Sequence, residues 1–234
     1  NDLKTLTISG TPSVAGTYNF SVKSNDGSSN YSDALTGTIT VKLATPSVAA
    51  GATTATNQGF TAQWSDVSGE SSYTVKVYLS DELVKTVSSI DANETSAIIT
   101  GLNANTTYTY KVTAIGNGDD VLDSNESSAS SGVRTLNTAK AITAFTIADV
   151  SATITEGTHT ITATVPAGTD ITSLTPSVTV SSYADYSPKT AQNFTTDKVY
   201  TVTAEDGSYQ EYTVTIALTL STPTVSDATT RTNQ

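Results

Sequence analysis

The residues able to do chemistry are few and of restricted kinds. The chain has one histidine, no cysteine and no methionine, which excludes disulfides, thiol nucleophiles and thiolate metal sites. His159 shares strand parity with Ile161, Ala163 and Val165, a position that predicts the rim of a core rather than acid–base work. A lone imidazole without a thiol gives the common nucleophile–base pairs no members. Two facing carboxylates would suffice for glycoside hydrolysis. The acids here sit mainly in turns and loops, and no insertion is long enough to wall a cleft. The expectation is a chain that is not an enzyme.

Two clusters remain. The stretch Asn117-Gly118-Asp119-Asp120-Val121-Leu122-Asp123-Ser124-Asn125-Glu126 places Asp119, Asp120, Asp123, Asn125 and Glu126 in one loop. Calcium takes about six to eight oxygen ligands, and such a loop offers carboxylates and carbonyls. It lacks the alternating Asp-x-Asp-x-Asp-Gly order of an EF-hand, so the alternative is a loop made polar by exposure. No other cofactor is indicated. The second cluster is Tyr183 and Tyr186, two rings on which a sugar face would stack, or which would simply pack over a sheet edge.

The elements that must hold these residues follow from composition. Ser and Thr make up roughly a third of the 234 residues and hydrophobic types 36%, a mixture that favours strands over helices. The net charge of -11 repels nucleic acid and anionic bilayers alike. No apolar run approaches a membrane span. The start Asn1-Asp2-Leu3-Lys4 is not a signal peptide, and the expectation is a piece of a longer exported chain.

Period-2 alternation then marks the strands. Tyr18, Phe20 and Val22 form one, Leu6 and Ile8 an earlier one, and Ile39, Val41 and Leu43 a later one, with turns at Thr11-Pro12 and Asn25-Asp26-Gly27. From Phe60-Thr61-Ala62-Gln63-Trp64, the core runs through Tyr73, Val75, Val77 and Leu79, then Leu83, Val87, Ile98 and Leu102, and on to Tyr108, Tyr110, Val112 and Ala114. The pattern restarts at Phe145 and Ile147 and ends at Tyr212, Val214 and Ile216, with a hairpin turn at Glu205-Asp206-Gly207-Ser208.

Trp64, Leu102 and Tyr108 in this spacing resemble a fibronectin type III domain. The resemblance implies that Tyr108 bonds back to the backbone as a tyrosine corner. Ala104 stands where that family usually has proline. The family's integrin-binding Arg-Gly-Asp is absent, since the only arginines are Arg134 and Arg231. The run Ile8 to Tyr18 resembles the second half of bacterial immunoglobulin-like repeats of large surface proteins. Val165-Pro166-Ala167-Gly168, Leu174-Thr175-Pro176 and Tyr200 to Ile216 resemble a domain of unknown function common in Bacteroidetes surface and secreted proteins. Finally, Leu220-Ser221-Thr222-Pro223-Thr224-Val225 and the following Ala228 to Gln234 echo Leu43-Ala44-Thr45-Pro46-Ser47-Val48 and Ala52 to Gln58. With one gap, about two thirds of those positions match.

The expected fold class is therefore all-β, with tandem immunoglobulin-like and fibronectin type III-like β-sandwiches in an elongated array. Residues 1–43 are the C-terminal part of an Ig-like sandwich, 44–136 a fibronectin type III-like domain, 137–219 an Ig-like sandwich, and 220–234 the start of another fibronectin type III-like domain. The expected function is a non-catalytic stalk or spacer of a large extracellular bacterial adhesin or cell-surface filament. The alternatives are an accessory, spacer or carbohydrate-binding region of a secreted polysaccharide-degrading enzyme, and a filament subunit completed by a neighbouring chain. The partners expected are neighbouring modules of the same chain, cell-surface glycans or another copy of itself, with no nucleic acid and no membrane insertion.

Overall fold

The computed structural model describes residues 14–27, 29–48, 54–118 and 120–220. The expected strand at Leu6 and Ile8 and the turn at Thr11-Pro12 lie outside them. The described residues are all-β and fall into two compact units, 1–136 and 137–234.

The first unit begins with a hairpin, β1 (Gly16–Val22) and β2 (Leu35–Val41), paired antiparallel with Tyr18 opposite Ile39 and Phe20 opposite Gly37. The Phe20 ring lies across Gly37, 2.5 Å from where a Cβ would stand, so a side chain there would have to displace the ring. The remainder of the unit is a sandwich. One sheet has the order β3-β4-β7, from β3 (Ala55–Thr56), β4 (Gly59–Gln63) and β7 (Ser96–Ile99). The other has the order β6-β5-β8-β9, from β5 (Ser72–Leu79), β6 (Glu82–Asp91), β8 (Thr107–Ile115) and β9 (Val133–Arg134).

Alternation buries Tyr73, Val75 and Val77 of β5 and Tyr108, Tyr110, Val112 and Ala114 of β8, facing Phe60, Ala62, Trp64 and Ile99 across the sandwich. Two expected core residues face outward instead. Ile98 is 76% exposed and Ile99 fully buried, because β7 pairs Ile99 with the inward Phe60 and Ile98 with the outward Thr61. Two adjacent isoleucines give period 2 no phase to choose. Leu83 is also exposed, since the β5–β6 register shifts between Val77 and Tyr78 and sets Leu83 opposite Tyr78. A bulge there turns the following side chains over. Leu43 ends no strand; it is buried in the sandwich core.

The second unit stacks a sheet β11-β10-β14 on a sheet β12-β13-β17-β16-β15. The strands are β10 (Ile142–Ile147), β11 (Val150–Ser151), β12 (Thr153–Thr155), β13 (Thr160–Val165), β14 (Ser177–Val180), β15 (Asp185–Ser187), β16 (Lys198–Thr203) and β17 (Tyr209–Leu218). β13 and β17 run parallel, pairing Ile161 with Val214 and Ala163 with Ile216. Phe145 meets Tyr200 edge-on at 5.4 Å in the core. The 204–208 turn closes as expected, with Gly207 at φ 83° and Asp206 Oδ1 accepting the Ser208 N–H and Oγ–H.

Candidate functional site

The loop carrying the calcium candidates is built between β8 and the edge segment that returns along it. Asp119 lies outside the described residues. The others point at separate protein partners. Asp123 Oδ1 accepts the Gly116 N–H at 2.9 Å, and a Cβ on Gly116 would stand 1.9 Å from the Val121 carbonyl. Asn125 Oδ1 accepts the Lys42 Nζ–H at 3.3 Å. Asp120 offers its carbonyl to the Thr17 hydroxyl at 3.1 Å. Glu126 sits between Lys76 at 3.2 Å and Lys111 at 3.3 Å, with the Tyr78 hydroxyl donating at 3.2 Å. Burial pushes the Glu126 carboxyl up, but the hydrogen bonds from Lys76 and Lys111 outweigh it and leave its pKa lowered. Among the described residues, no three His, Asp or Glu side chains gather closely enough to hold a metal ion.

What the loop does hold is the segment before the sandwich. Leu43 donates its N–H to the Leu122 carbonyl at 3.1 Å, and its side chain, 3% exposed, lies beside Gly69. Lys42 bridges to Leu122 in parallel. Next to Leu43, the hairpin and the two loops enclose a cleft of about 380 Å³ lined by Val14, Ala15, Val41, Ala44, Gly69 and Val121. Pro46 is buried, Val48 bridges Trp64, and Ser47 and Ser65 share hydroxyl bonds of 2.9 and 3.0 Å. The sequence marks Leu43-Ala44-Thr45-Pro46 as a short joint, but not that Leu43 is buried in the sandwich that follows it. Its signal was Leu43 followed by a buried proline, which alternation alone assigns to the preceding strand.

The edge segment after the loop also escaped the sequence. Ser124, Ser127 and Ser130 donate their N–H groups to the carbonyls of Ala114, Val112 and Tyr110. Their hydroxyls accept the N–H groups of the same three residues, at 2.9, 2.9 and 3.0 Å. Each hydroxyl then donates to the carbonyl of the residue that follows it, Asn125, Ser128 or Ser131. Serine oxygens therefore replace the backbone acceptors of a strand, and three residues of the segment match two of β8.

The two tyrosines of the sugar candidate part company. Tyr186 is half-buried against the second core, with Lys189 Nζ 5.5 Å over its ring and ion-paired to Asp185. That pairing, a hydrogen bond from Lys189, holds the Asp185 carboxyl below its usual range. Tyr183 is 60% exposed at φ 65°. An aromatic missed by the sequence reading is Tyr209, 64% exposed, which heads the cross-strand row Tyr209–Thr203–Asp185. Its spacing of three from the inward Tyr212 was the signal that it faces out. His159 stands half-buried at the turn before β13, edge-on to Tyr212 at 5.4 Å.

Two packed sheets with a tyrosine corner, in which the Tyr108 hydroxyl accepts the Asn103 N–H at 3.1 Å, define the first sandwich as a fibronectin-like module and the chain as a modular all-β protein. Residues 45–130 match the fibronectin type III domain, and residues 142–216 match the family described as SGBP, N-terminal. No curated protein matches the chain. Among solved structures, a chain assigned as a glycoside hydrolase from Bacteroides thetaiotaomicron is 36% identical over 36% of this chain and 26% of its own, with a TM-score of 0.33. The present chain thus spans about a quarter of that one. An Fn3-like protein from Clostridium thermocellum is 24% identical over 38% of this chain and 91% of its own, TM-score 0.28. The BSP domain of a biofilm-associated protein is 24% identical over 53% and 19%, TM-score 0.26.

Proposed function

We propose that the chain is a non-catalytic spacer region of a Bacteroidetes-type cell-surface or extracellular protein, holding other modules at a fixed separation. The observation that carries this reading is the use of the 116–127 loop. In a sandwich the end loops are where ligands bind, and here that loop grips Leu43, Lys42 and Thr17 of the preceding segment. Affinity electrophoresis of the whole chain through a panel of polysaccharides tests it, and unretarded migration in every gel is the expected result.

A second reading, an accessory region of a polysaccharide-degrading system that contacts glycan itself, is favoured by the SGBP-type match and by the exposed rings of Tyr183 and Tyr209. Retardation that disappears in Tyr209→Ala would replace the spacer reading with this one.

A further inference from the structure

The loop that grips the preceding segment also carries a reactive pair that the grip does not use. Of the thirteen asparagines, Asn117 alone is followed by glycine. The main-chain nitrogen of a following residue can attack an asparagine side-chain amide and close a cyclic imide, and a side chain on that residue is the chief obstacle. Gly118 has no side chain and stands at φ 83°, with no heavy atom within 4 Å of where a Cβ would be. Both residues are exposed, so solvent reaches the amide under attack. The fold adds activation. Asn117 Oδ1 accepts the Asp120 N–H at 3.2 Å and the Val121 N–H at 2.9 Å. Negative charge develops on that oxygen when Cγ is attacked, and two fixed N–H donors stabilise it as an oxyanion hole does. The loop that sets them is closed at its base, where Gly116 donates its N–H to Asp123 and packs against the Val121 carbonyl.

We propose that Asn117 is a self-modification site of the folded chain, and that its isoaspartyl product slackens the hold on the hairpin. The Gly118 nitrogen gives its proton to base and bonds to Asn117 Cγ; the Cγ–Nδ2 bond breaks and the nitrogen leaves as ammonia. Water then opens the imide by breaking one of its two carbonyl–nitrogen bonds. Breaking the Cγ–N bond leaves aspartate at 117, and breaking the main-chain bond leaves isoaspartate, with Gly118 joined through Cγ. The net change is water in and ammonia out, with nothing oxidised or reduced. The two products differ in effect. Aspartate keeps an acceptor oxygen for the Asp120 and Val121 N–H groups. Isoaspartate lengthens the main chain by one carbon inside the closed loop. That loop holds the Thr17 hydroxyl on the Asp120 carbonyl and the Leu43 N–H on the Leu122 carbonyl. The inference does not depend on whether the chain contacts glycan.

The test is incubation of the whole chain in warm, mildly alkaline buffer, folded and in parallel unfolded in urea. Mass spectrometry of its tryptic peptides follows deamidation, and labelling by a protein isoaspartyl methyltransferase follows isoaspartate. In the folded chain, deamidation is expected fastest in the peptide holding Asn117, at no less than about one tenth of its rate in urea. A lower folded rate, or faster conversion in another peptide, overturns the site. That peptide also contains Asn125, so Asn117→Asp serves as the control. The variant has no amide to lose at 117, and a mass gain that persists in it overturns the assignment. Leu43 belongs to the core around Trp64, the single tryptophan, whose fluorescence reports melting of the first sandwich. The isoaspartyl fraction is expected to melt about 4 °C or more below Asn117→Asp, which carries the same added charge. Smaller differences overturn the slackening.

Discussion

At the residue scale, the chain relies on buried phenols. Tyr110 spans the first sandwich, its hydroxyl accepting the Gln63 N–H at 3.1 Å and donating to the Gln63 carbonyl at 2.8 Å. Tyr73 accepts the Val67 N–H at 2.7 Å and donates to Asp66 at 2.9 Å, and Tyr212 donates to Glu156 at 2.7 Å. Burial, aided by the neighbouring carboxylates at Tyr73 and Tyr212, raises the pKa of Tyr73, Tyr200 and Tyr212 from 10.0 to about 12. A protonated phenol is neutral, so the folded state keeps its protons after the unfolded state has lost them. Stability contributed by these groups is complete below pH 10 and lost as pH rises through about 12. Melting temperature should therefore fall steeply across that window, with the phenols of Tyr73, Tyr200 and Tyr212 ionising only as the protein unfolds. Phenolate absorbance accounting for all eleven tyrosines with the melting temperature unchanged would refute it. At the same scale, Ile99→Ala should cost about 2–5 kcal/mol and Ile98→Ala under about 0.5 kcal/mol, by urea denaturation. The contrast marks where sequence was legible. Trp64, Tyr108 and every second residue of β5 and β8 could be read because alternation and one large ring fix their phase. Ile98 and Leu83 could not, because phase there is set by a partner strand and by a bulge.

At the element scale, the segment from Ser124 to Ser131 shows why the candidate site was harder to read than the fold. Its serines recur every third residue, a period belonging to neither strand nor helix, and look like ordinary loop composition until β8 is beside them. Each hydroxyl is the acceptor for a buried N–H that no water reaches. Removing one, as in Ser127→Ala, leaves the Val112 N–H without that acceptor and should destabilise the first sandwich by about 1–3 kcal/mol. Glu126 one position earlier makes three contacts yet keeps partly in water, so Glu126→Gln should cost under about 1 kcal/mol. Urea midpoints of the two variants, measured side by side, distinguish a hydroxyl ladder from a charge clamp as the means by which the loop is held. A larger loss in Glu126→Gln would put the clamp first. The acids of 119–126 suggested a cation because sequence shows charges without showing their partners; Asp123, Asn125 and Glu126 each find theirs on a different element. Addition and chelation of calcium should accordingly leave the melting temperature unchanged, and a rise of several degrees with calcium would return those side chains to metal binding.

At the scale of the whole molecule, solubility rests on a balance between charge and uncovered apolar surface. The chain carries 22 acids against 11 bases, while the hairpin presents Tyr18, Leu35 and Ile39 on one face, 46%, 72% and 40% exposed. Tyr18 pairs with Ile39 across the strands and Val22 with Leu35, so these side chains form a continuous strip. Such a strip on a two-stranded element invites pairing with another copy. The charge of -11 at pH 7 opposes it through mutual repulsion, which weakens with salt as the screening length shortens to roughly 10 Å at 0.1 M. The opposition disappears near the isoelectric point of about 4.3. Light scattering should therefore report a monomer at neutral pH and low salt, and growing association as pH approaches 4.3 or as salt is raised at neutral pH. Leu35→Lys together with Ile39→Lys should suppress association under both conditions, because it removes the strip and leaves the folds of both sandwiches untouched. Association that persists in the double variant would place the contact elsewhere on the chain. Association that salt weakens would mean that charge pairing, and not apolar contact, brings the copies together.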